Sequence, residues 1–285
     1  MVVCASAKQR TNGVSEEQEE ELEYEMEVCN ITKDIMLRIC TVVPPPIEYL
    51  TKLHGKEEEI SGRRVWSGSL LLSLFFCSHD SFLYPRRDGS NQSRILELGS
   101  GTGILGMTLS TLSSSPVAVC MTDGDTEAVN LLHQNLQHNH MDRRKCDATY
   151  LLWGGNNGAD SPIVFEQWCK QKWPSLFADE VVTFDTIVAG DVLYKPKLIP
   201  QLFATVQRYL SRSNGMFFLC HIPRNNVYHS HVLDGAHRAG LKILSQWGDI
   251  LSTAVDTTLL PEDCMVDKAD EQKAIIYQIV HDTIS

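Results

Sequence analysis

Cysteine pairs, long apolar segments and a hydrophobic leader are all missing from this 285-residue sequence. None of its nine cysteines forms a CxxC pair, and most lie inside apolar runs. This arrangement favours buried free thiols in a reducing compartment. The longest apolar run, residues 70–77, is too short to span a bilayer. Residues 1–10 lack the apolar part of a secretory signal. We therefore expect a cytoplasmic or nuclear protein without a membrane partner.

The sequence also has no basic stripe, although its formal charge of −11 suggests a strongly biased surface. Eight glutamates lie within residues 16–27, and without them 25 basic residues face 28 acidic ones, a net charge of −3. A nearly neutral body without clustered lysine and arginine predicts no nucleic-acid partner. The two HxH pairs, 138/140 and 229/231, have no accompanying cysteine or acid cluster, so we expect no metal site.

The first residues divide into a tail and a hairpin. Residues 1–20 are polar and then acidic, and the repulsion between like charges predicts a disordered acidic tail. From Leu22 to Val28, apolar residues alternate with glutamates. This period of two predicts a strand with the apolar residues buried and the glutamates outside. A second apolar alternation over residues 35–41 completes a predicted N-terminal β-hairpin within residues 21–46.

The central feature of the chain is the stretch ILELGSGTGILG, residues 95–106. A short buried strand runs into glycines at 99, 101 and 103, and a helical pattern follows. Such a turn aims backbone N–H groups and a positive helix end at a ligand. The glycines fit GxGxG, but 101, 103 and 106 also fit the GxGxxG of dinucleotide sites. Glu97 favours the first interpretation, because an acid there would repel a pyrophosphate and suit a positively charged ligand.

Strands and helices alternate from residue 94 onward. This pattern predicts an α/β fold with one open, doubly wound, mostly parallel seven-stranded sheet and helices on both faces. We assign this domain to residues 47–285, with residues 155–180 as a long insertion loop. The predicted strands are 94–99, 117–122, 147–152, 182–189, 215–220, 241–247 and 274–280.

Ligands of such sheets bind beyond the carboxyl ends of the strands. Asp123 follows the second strand, where an acid can accept hydrogen bonds from ribose hydroxyls. It could instead cap the next helix, although Asp125 is the better candidate for that cap. Trp153 follows the third strand, and Asp191 and Tyr194 follow the fourth. From the residues alone, Trp153 could be a core aromatic and Asp191 a helix cap.

The motif ELGSGTG, residues 97–103, resembles motif I of the seven-β-strand, class I S-adenosylmethionine-dependent methyltransferases. Further stretches resemble one branch, methyltransferase family 16, which contains many protein-lysine methyltransferases. These stretches are Gly62 with Val65-Trp66, Thr122-Asp123, Leu152-Trp153-Gly154, and the Asp-x-x-Tyr of residues 191–194. Ser67-Gly68 departs from the proline and alanine common in the family.

The resemblance implies S-adenosylmethionine as cofactor and a role for each matched residue. Glu97 and the backbone of Gly99, Ser100, Gly101 and Gly103 would hold the methionine end. Asp123 would hold the ribose, Trp153 would border the adenine, and Trp66 and Gly190 would line the cofactor site. Asp191 and Tyr194 would receive the target side chain as catalytic residues.

The function that the resemblance implies is methyl transfer to a lysine of a protein substrate by a monomeric enzyme. Arginine, histidine or a small molecule remains open as the acceptor, since acceptor choice depends on the rim loops. A methyltransferase fold that binds without turnover and a nicotinamide dehydrogenase are the remaining alternatives. The intact glycine turn and Asp123 argue against the first, and no catalytic residue supports the second.

Overall fold

A computed structural model describes residues 23–43, 62–83, 93–112, 117–155, 162–178 and 181–282. The predicted tail, residues 1–20, lies outside these ranges. The described residues contain nine strands, two in a hairpin and seven in one sheet. They are β1 (Tyr24–Asn30), β2 (Met36–Val42), β3 (Ser93–Leu98), β4 (Val117–Asp123), β5 (Cys146–Tyr150), β6 (Thr186–Gly190), β7 (Met216–His221), β8 (Leu241–Trp247) and β9 (Ile275–His281).

The large sheet has the strand order β5-β4-β3-β6-β7-β9-β8. Strands β3 to β7 pair in parallel, and β9 pairs antiparallel with both β7 and β8. The order reverses between β3 and its neighbours β4 and β6, and such a switch point is where open α/β sheets bind ligands. The predicted fold class is confirmed, including the hairpin and the single mostly parallel sheet.

Helices cover both faces of the sheet. All six residues of β3 are buried, as a strand covered on both sides requires. Ile95 belongs to one hydrophobic core, whereas Leu96 and Leu98 belong to the core on the opposite face. The helices are α1 (Ser67–Ser78), α2 (Ile104–Leu112), α3 (Thr126–His138), α4 (Pro162–Lys172), α5 (Leu198–Tyr209), α6 (His229–Arg238) and the short α7 (Ile250–Thr253) and α8 (Lys268–Glu271).

The N-terminal hairpin forms as predicted, with Glu25 exposed, but the predicted alternation of burial fails at the end of β1. Val28 is 49% exposed, whereas Cys29 is fully buried. The cause is the register with β2, in which Cys29 pairs with Leu37 and the buried Ile39 pairs with Glu27. Leu37 and Ile39 join the core, so their partners in β1 turn inward.

Residues 155–180 are not an insertion loop throughout. Helix α4 occupies Pro162–Lys172, and Phe165, Trp173 and Phe177 are buried on the sheet. Phe165 stacks on Phe184 with ring centroids 6.2 Å apart. The apolar residues recur at intervals of four, a helical period that the glycine-rich start of the segment obscured. The domain limits, 21–46 and 47–285, stay predictions.

Candidate active site

A cavity of about 730 Å³ opens at the carboxyl ends of β3, β4 and β6. It brings together most of the residues that the sequence singled out, from five separate stretches of chain. Of the predicted site residues, Glu97 and Gly103 are absent from its wall. Those that line it are Trp66, Gly99, Ser100, Gly101, Asp123, Trp153, Gly190, Asp191 and Tyr194.

The glycine turn can form only without side chains at its first two glycines. Gly99 and Gly101 have φ values of +69° and +53°, in the left-handed region. A Cβ on Gly101 would lie 2.7 Å from the carbonyl oxygen of Gly62, and one on Gly99 would lie 2.9 Å from Val192 Cγ1. The turn therefore touches the segment before α1 on one side and the segment after β6 on the other.

Glu97 lies beneath this turn, 1% exposed. Its Oε2 accepts a hydrogen bond from the Gly106 backbone N–H at 3.1 Å, in the first turn of α2. Burial raises the pKa of Glu97 to about 8, although hydrogen bonds from Ser100 and Gly106 act in the opposite direction. Glu97 thus supports the turn from beneath and lies outside the cavity wall, and its contact with a positively charged ligand stays a prediction.

Asp123, at the end of β4, connects the turn to the next helix. Its Oδ2 accepts from the Gly101 N–H at 2.9 Å, and its Oδ1 accepts from the Asp125 N–H at 3.0 Å. Each carboxylate oxygen has two lone pairs, so each can accept one more hydrogen bond from the cavity. Burial raises the pKa of Asp123, and these backbone donors oppose the shift. As expected, Asp125 caps α3, because its Oδ1 accepts from the Glu127 N–H at 2.9 Å.

Trp153 forms the wall beside the turn. A Cβ on Gly99 would lie 3.2 Å from its indole ring. The ring is only partly buried, which excludes a purely core role. An exposed aromatic face near an acceptor pair such as Asp123 suits a ligand that joins an aromatic base to a ribose.

On the other side of the cavity, the start of α1 presses against the end of β6. A Cβ on Gly190 would lie 2.7 Å from Ser69 Cα, and one on Gly68 would lie 2.5 Å from Asp191 Cβ. Two glycines therefore allow two backbones to approach closely. Gly68, one of the two residues that depart from the family pattern, thus allows the close packing at this contact.

Asp191 follows β6 in the left-handed conformation, with φ +58°. Its side chain is 1% exposed, and its Oδ2 lies 2.5 Å from Arg224 Nη2. Its Oδ1 is buried and has no hydrogen-bond partner among the described residues. Burial raises the pKa of Asp191 to about 7, with Arg224 lowering it and Asp270 raising it. Asp191 does not cap α5, whose N-cap is Lys197.

Arg224 and Asp270 were not found by sequence reasoning. Arg224 Nη2 also lies 3.4 Å from Asp270 Oδ2, and its guanidinium lies over the Trp66 ring, 5.1 Å from the centroid. Asp270 in turn accepts a hydrogen bond from Ser67 Oγ at 2.8 Å. No motif connects residues 66, 191, 224 and 270, so only the fold could reveal the cluster.

Tyr194 completes this side of the cavity. It lies in the wall beside Lys195, whose Nζ is 6.0 Å from the Tyr194 ring centroid. Asp185 pairs with the buried Arg94 at 3.0 Å, and neither residue lines the cavity.

The described residues contain no group of three or more His, Cys, Asp or Glu side chains placed to hold a metal ion. In the same ranges, no helix has both the length and the apolar character needed to cross a membrane.

Comparison with known proteins identifies the family. The sequence profile described as lysine methyltransferase matches residues 49–233, more than half of the chain. The chain therefore belongs to the lysine methyltransferase family. This confirms the resemblance stated from the motifs, and with it S-adenosylmethionine as the cofactor.

Two curated relatives agree with this assignment. Methyltransferase-like protein 22 of Mus musculus is 28% identical over 155 residues, covering 53% of this chain and 36% of that protein. Protein-lysine N-methyltransferase EFM3 of Chaetomium thermophilum is 24% identical over 186 residues, covering 64% of this chain and 49% of that protein. The matches thus span half or less of the length of these relatives.

A solved structure supports the fold. The methyltransferase SMU.776, complexed with SAH, aligns with a TM-score of 0.50 and 13% identity, over 92% of this chain and 57% of that one. At this identity the likeness concerns the fold alone.

Proposed function

We propose that this protein transfers a methyl group from S-adenosylmethionine to the ε-amine of a lysine in a protein substrate. One observation carries the proposal. A buried carboxylate that retains an unpaired oxygen, Asp191 Oδ1, lies in the wall of the cavity directly after the strand beside the glycine turn. The family match and the relative named as a protein-lysine N-methyltransferase support lysine as the acceptor.

The cofactor half of the cavity fits S-adenosylmethionine by its chemistry. Asp123 offers acceptor positions for ribose hydroxyls, and the Trp153 ring offers a face for an adenine. The backbone of the glycine turn, residues 99–102, lies in the cavity wall and would hold the methionine end. In this proposal, Glu97 and Gly103 shape the turn from behind and make no contact with the cofactor.

The other half receives the lysine. Asp191 would orient the incoming nitrogen through Oδ1, and the Trp66 and Tyr194 rings would flank the aliphatic stem. A lysine with an ordinary pKa of about 10.4 must lose a proton before it can attack. Removal from water into a cavity with such apolar walls favours the neutral amine.

The cofactor supplies an activated methyl on a sulfonium, so the reaction needs alignment more than acid–base chemistry. The chain's own residues hold the nitrogen in line and keep water out of the cavity. The close contact between α1 and the end of β6 restrains Asp191, because the backbone of Gly68 lies directly against it. A fixed acceptor side is what an in-line displacement requires.

Partner and location extend the same proposal. We place the protein, as a monomer, with a protein substrate in the cytoplasm or nucleus. No disulfide joins two of the cysteines within the described residues, which suits a reducing compartment.

A labelled-methyl transfer assay tests the function. The protein is incubated with S-adenosylmethionine carrying a labelled methyl group and a cell extract, and the labelled residue is identified by mass spectrometry. We expect label on lysine of one or a few proteins, and a rate of labelling about 100-fold lower with Asp191→Asn. Label on arginine, histidine or a small molecule would reassign the acceptor. Cofactor binding without any transfer would favour a binding module.

A further inference from the structure

The positively charged side chain beside Asp191 is Arg224, which lies on the loop after β7. Arg224 makes three contacts there: 2.5 Å to Asp191 Oδ2, 3.4 Å to Asp270 Oδ2, and 5.1 Å from its guanidinium carbon to the centroid of the Trp66 ring. Its side chain is 25% exposed, so the ion pair with the 1% exposed Asp191 is largely shielded from water. A shielded pair is screened less by salt than a surface pair, and removal of one partner leaves the other charge buried and uncompensated.

We propose that Arg224 and Asp270 are positioning residues for methyl transfer: Asp270 anchors Arg224, and Arg224 holds Asp191 charged and oriented toward the acceptor. The inference rests on the proposed function. It adds a second element to the acceptor side, because Asp270 lies in α8, beyond the residues 49–233 that match the family.

The anchor itself is well fixed. Asp267 caps α8 by accepting from the N–H groups of Ala269 and Asp270, at 2.8 and 3.1 Å. The Asp270 carboxylate also accepts from Ser67 Oγ at 2.8 Å, at the start of α1. The segment between β8 and β9 is therefore joined to the helix that presses on Asp191.

Two orphaned atoms suggest how the cluster works. Asp191 Oδ1 and Arg224 Nε are both buried without a hydrogen-bond partner among the described residues. Arg224 thus occupies one oxygen of the carboxylate, and the other has no partner among the described residues. Two carboxylates against one guanidinium leave a net charge of −1, which would attract the lysine as an ammonium group before it loses its proton in the cavity.

The charged and titratable groups that face Asp191 come from several elements. Arg224 lies on the loop after β7, Asp270 on α8 and Cys220 on β7, and Tyr194 and Lys195 are on its own segment. Burial raises the pKa of the Cys220 thiol well above its ordinary value, so that group stays neutral. Arg224 is the group that lowers the Asp191 pKa, and its removal should leave the carboxyl protonated at neutral pH.

The test uses the full-length protein and the initial rate of labelled-methyl incorporation into one cell extract, measured from pH 6 to 9. We expect Arg224→Gln to lower the rate at pH 7 about 30-fold and to move the acidic limb of the profile to higher pH. Arg224→Lys should recover part of the rate, because it retains the charge but loses the planar fork. Asp270→Asn should lower the rate about fivefold, and the acidic limb of its profile should not move to higher pH.

Controls separate the possible causes. Arg208→Gln removes another arginine–carboxylate pair, with Glu166 at 2.8 Å on the exposed side of α5, and should leave rate and profile unchanged. Cofactor affinity measured by calorimetry should stay within about threefold in every variant. An Arg224→Gln protein with the wild-type rate and profile would overturn the inference, and a faster one would show that Arg224 blocks the acceptor. A wild-type protein that transfers no methyl group contradicts the proposed function instead.

Discussion

The two halves of the cavity are built in different ways. The cofactor half is formed mainly by one continuous motif, a strand, a glycine turn and a helix, completed by Asp123 from the neighbouring strand. Its polar contacts use backbone N–H groups, such as that of Gly101 on Asp123. The acceptor half is formed by side chains from residues 66, 191, 224 and 270, which meet only in the folded chain.

This difference has an electrostatic consequence. Backbone dipoles do not titrate, so in the cofactor half the pH dependence of ligand binding should come from the Asp123 carboxylate, whose pKa burial raises. The acceptor half depends on a carboxylate whose pKa burial raises to about 7. We therefore expect variants in the two halves to separate cleanly into changes of cofactor affinity and changes of rate.

Asp191→Asn should have the largest effect on the rate of methyl transfer, and it should impair the acceptor half without changing the cofactor half. Asparagine adopts the left-handed backbone conformation almost as readily as aspartate, so the φ of +58° is preserved. The amide cannot carry the charge that attracts and orients the amine. We expect the rate of methyl transfer to fall about 100-fold.

The control for Asp191→Asn is its cofactor binding. Calorimetry with S-adenosylmethionine should give an affinity within about threefold of wild type. Loss of cofactor binding together with the rate would show that the two halves are not separable at this residue.

Asp123→Ala should break the cofactor half. The alanine removes two acceptor oxygens from the cavity wall, one hydrogen bond to the turn and one to the Asp125 N–H. Hydrogen bonds to charged groups are worth about 1.5–3 kcal/mol each, so we expect cofactor affinity to fall roughly 10- to 100-fold. The matched control is Asp125→Asn, the adjacent acid, because asparagine caps a helix as well as aspartate does. Equal losses in both variants would contradict a ribose role specific to Asp123.

Gly101→Ala should weaken cofactor binding about tenfold by distorting the turn. Its Cβ would lie 2.7 Å from Gly62 O, at a φ of +53°. Gly240→Ala is the matched control, because Gly240 has a φ of +67° but a Cβ there would meet only Gln207 Nε2, at 3.9 Å. Both variants have the same backbone strain of about 1–2 kcal/mol. Only Gly101→Ala should lose cofactor affinity by calorimetry, and equal affinities would show that the turn tolerates a side chain.

The cofactor half was largely predictable because its signals are local. The spacing of Gly99, Gly101 and Gly103 predicts the turn directly, and the position of Asp123 follows from its place after a strand. All of these except Gly103 line the cavity. The charge argument for Glu97 stays a prediction, because a sequence shows an acid but neither its burial nor its pKa.

The acceptor half was only partly predictable. Asp191 and Tyr194 stand in a recognisable motif, but Arg224 and Asp270 have no neighbours that mark them. Their role depends on a crossover that brings α8 beside the start of α1. The hairpin shows the same limit, since Glu27 and Cys29 turn inward through pairing with β2 and not through their own alternation.

Glu97→Gln should have the smallest effect of these variants on cofactor affinity, and it tests whether the cofactor half contains a charged Glu97. In the folded protein, burial raises the pKa of Glu97 to about 8 from an ordinary 4.5. The folded state therefore holds a proton that the unfolded state has released. Wild-type stability should fall as the pH rises from about 5 to 8, by at most about 1.4 kcal/mol per pH unit from this group.

Glutamine does not titrate, so the variant lacks this pH-dependent contribution to the free energy of unfolding. Its amide oxygen can still accept a hydrogen bond from the Gly106 N–H. The difference in free energy of unfolding between Glu97→Gln and wild type should grow in favour of the variant over this pH range, measured by denaturant titration at each pH. Cofactor affinity should change less than threefold, because Glu97 supports the turn from beneath. If the free energies of unfolding of variant and wild type instead run parallel with pH and the variant loses much cofactor affinity, Glu97 is charged and attracts the cofactor. The cofactor half would then depend on a titrating side chain, as the acceptor half does.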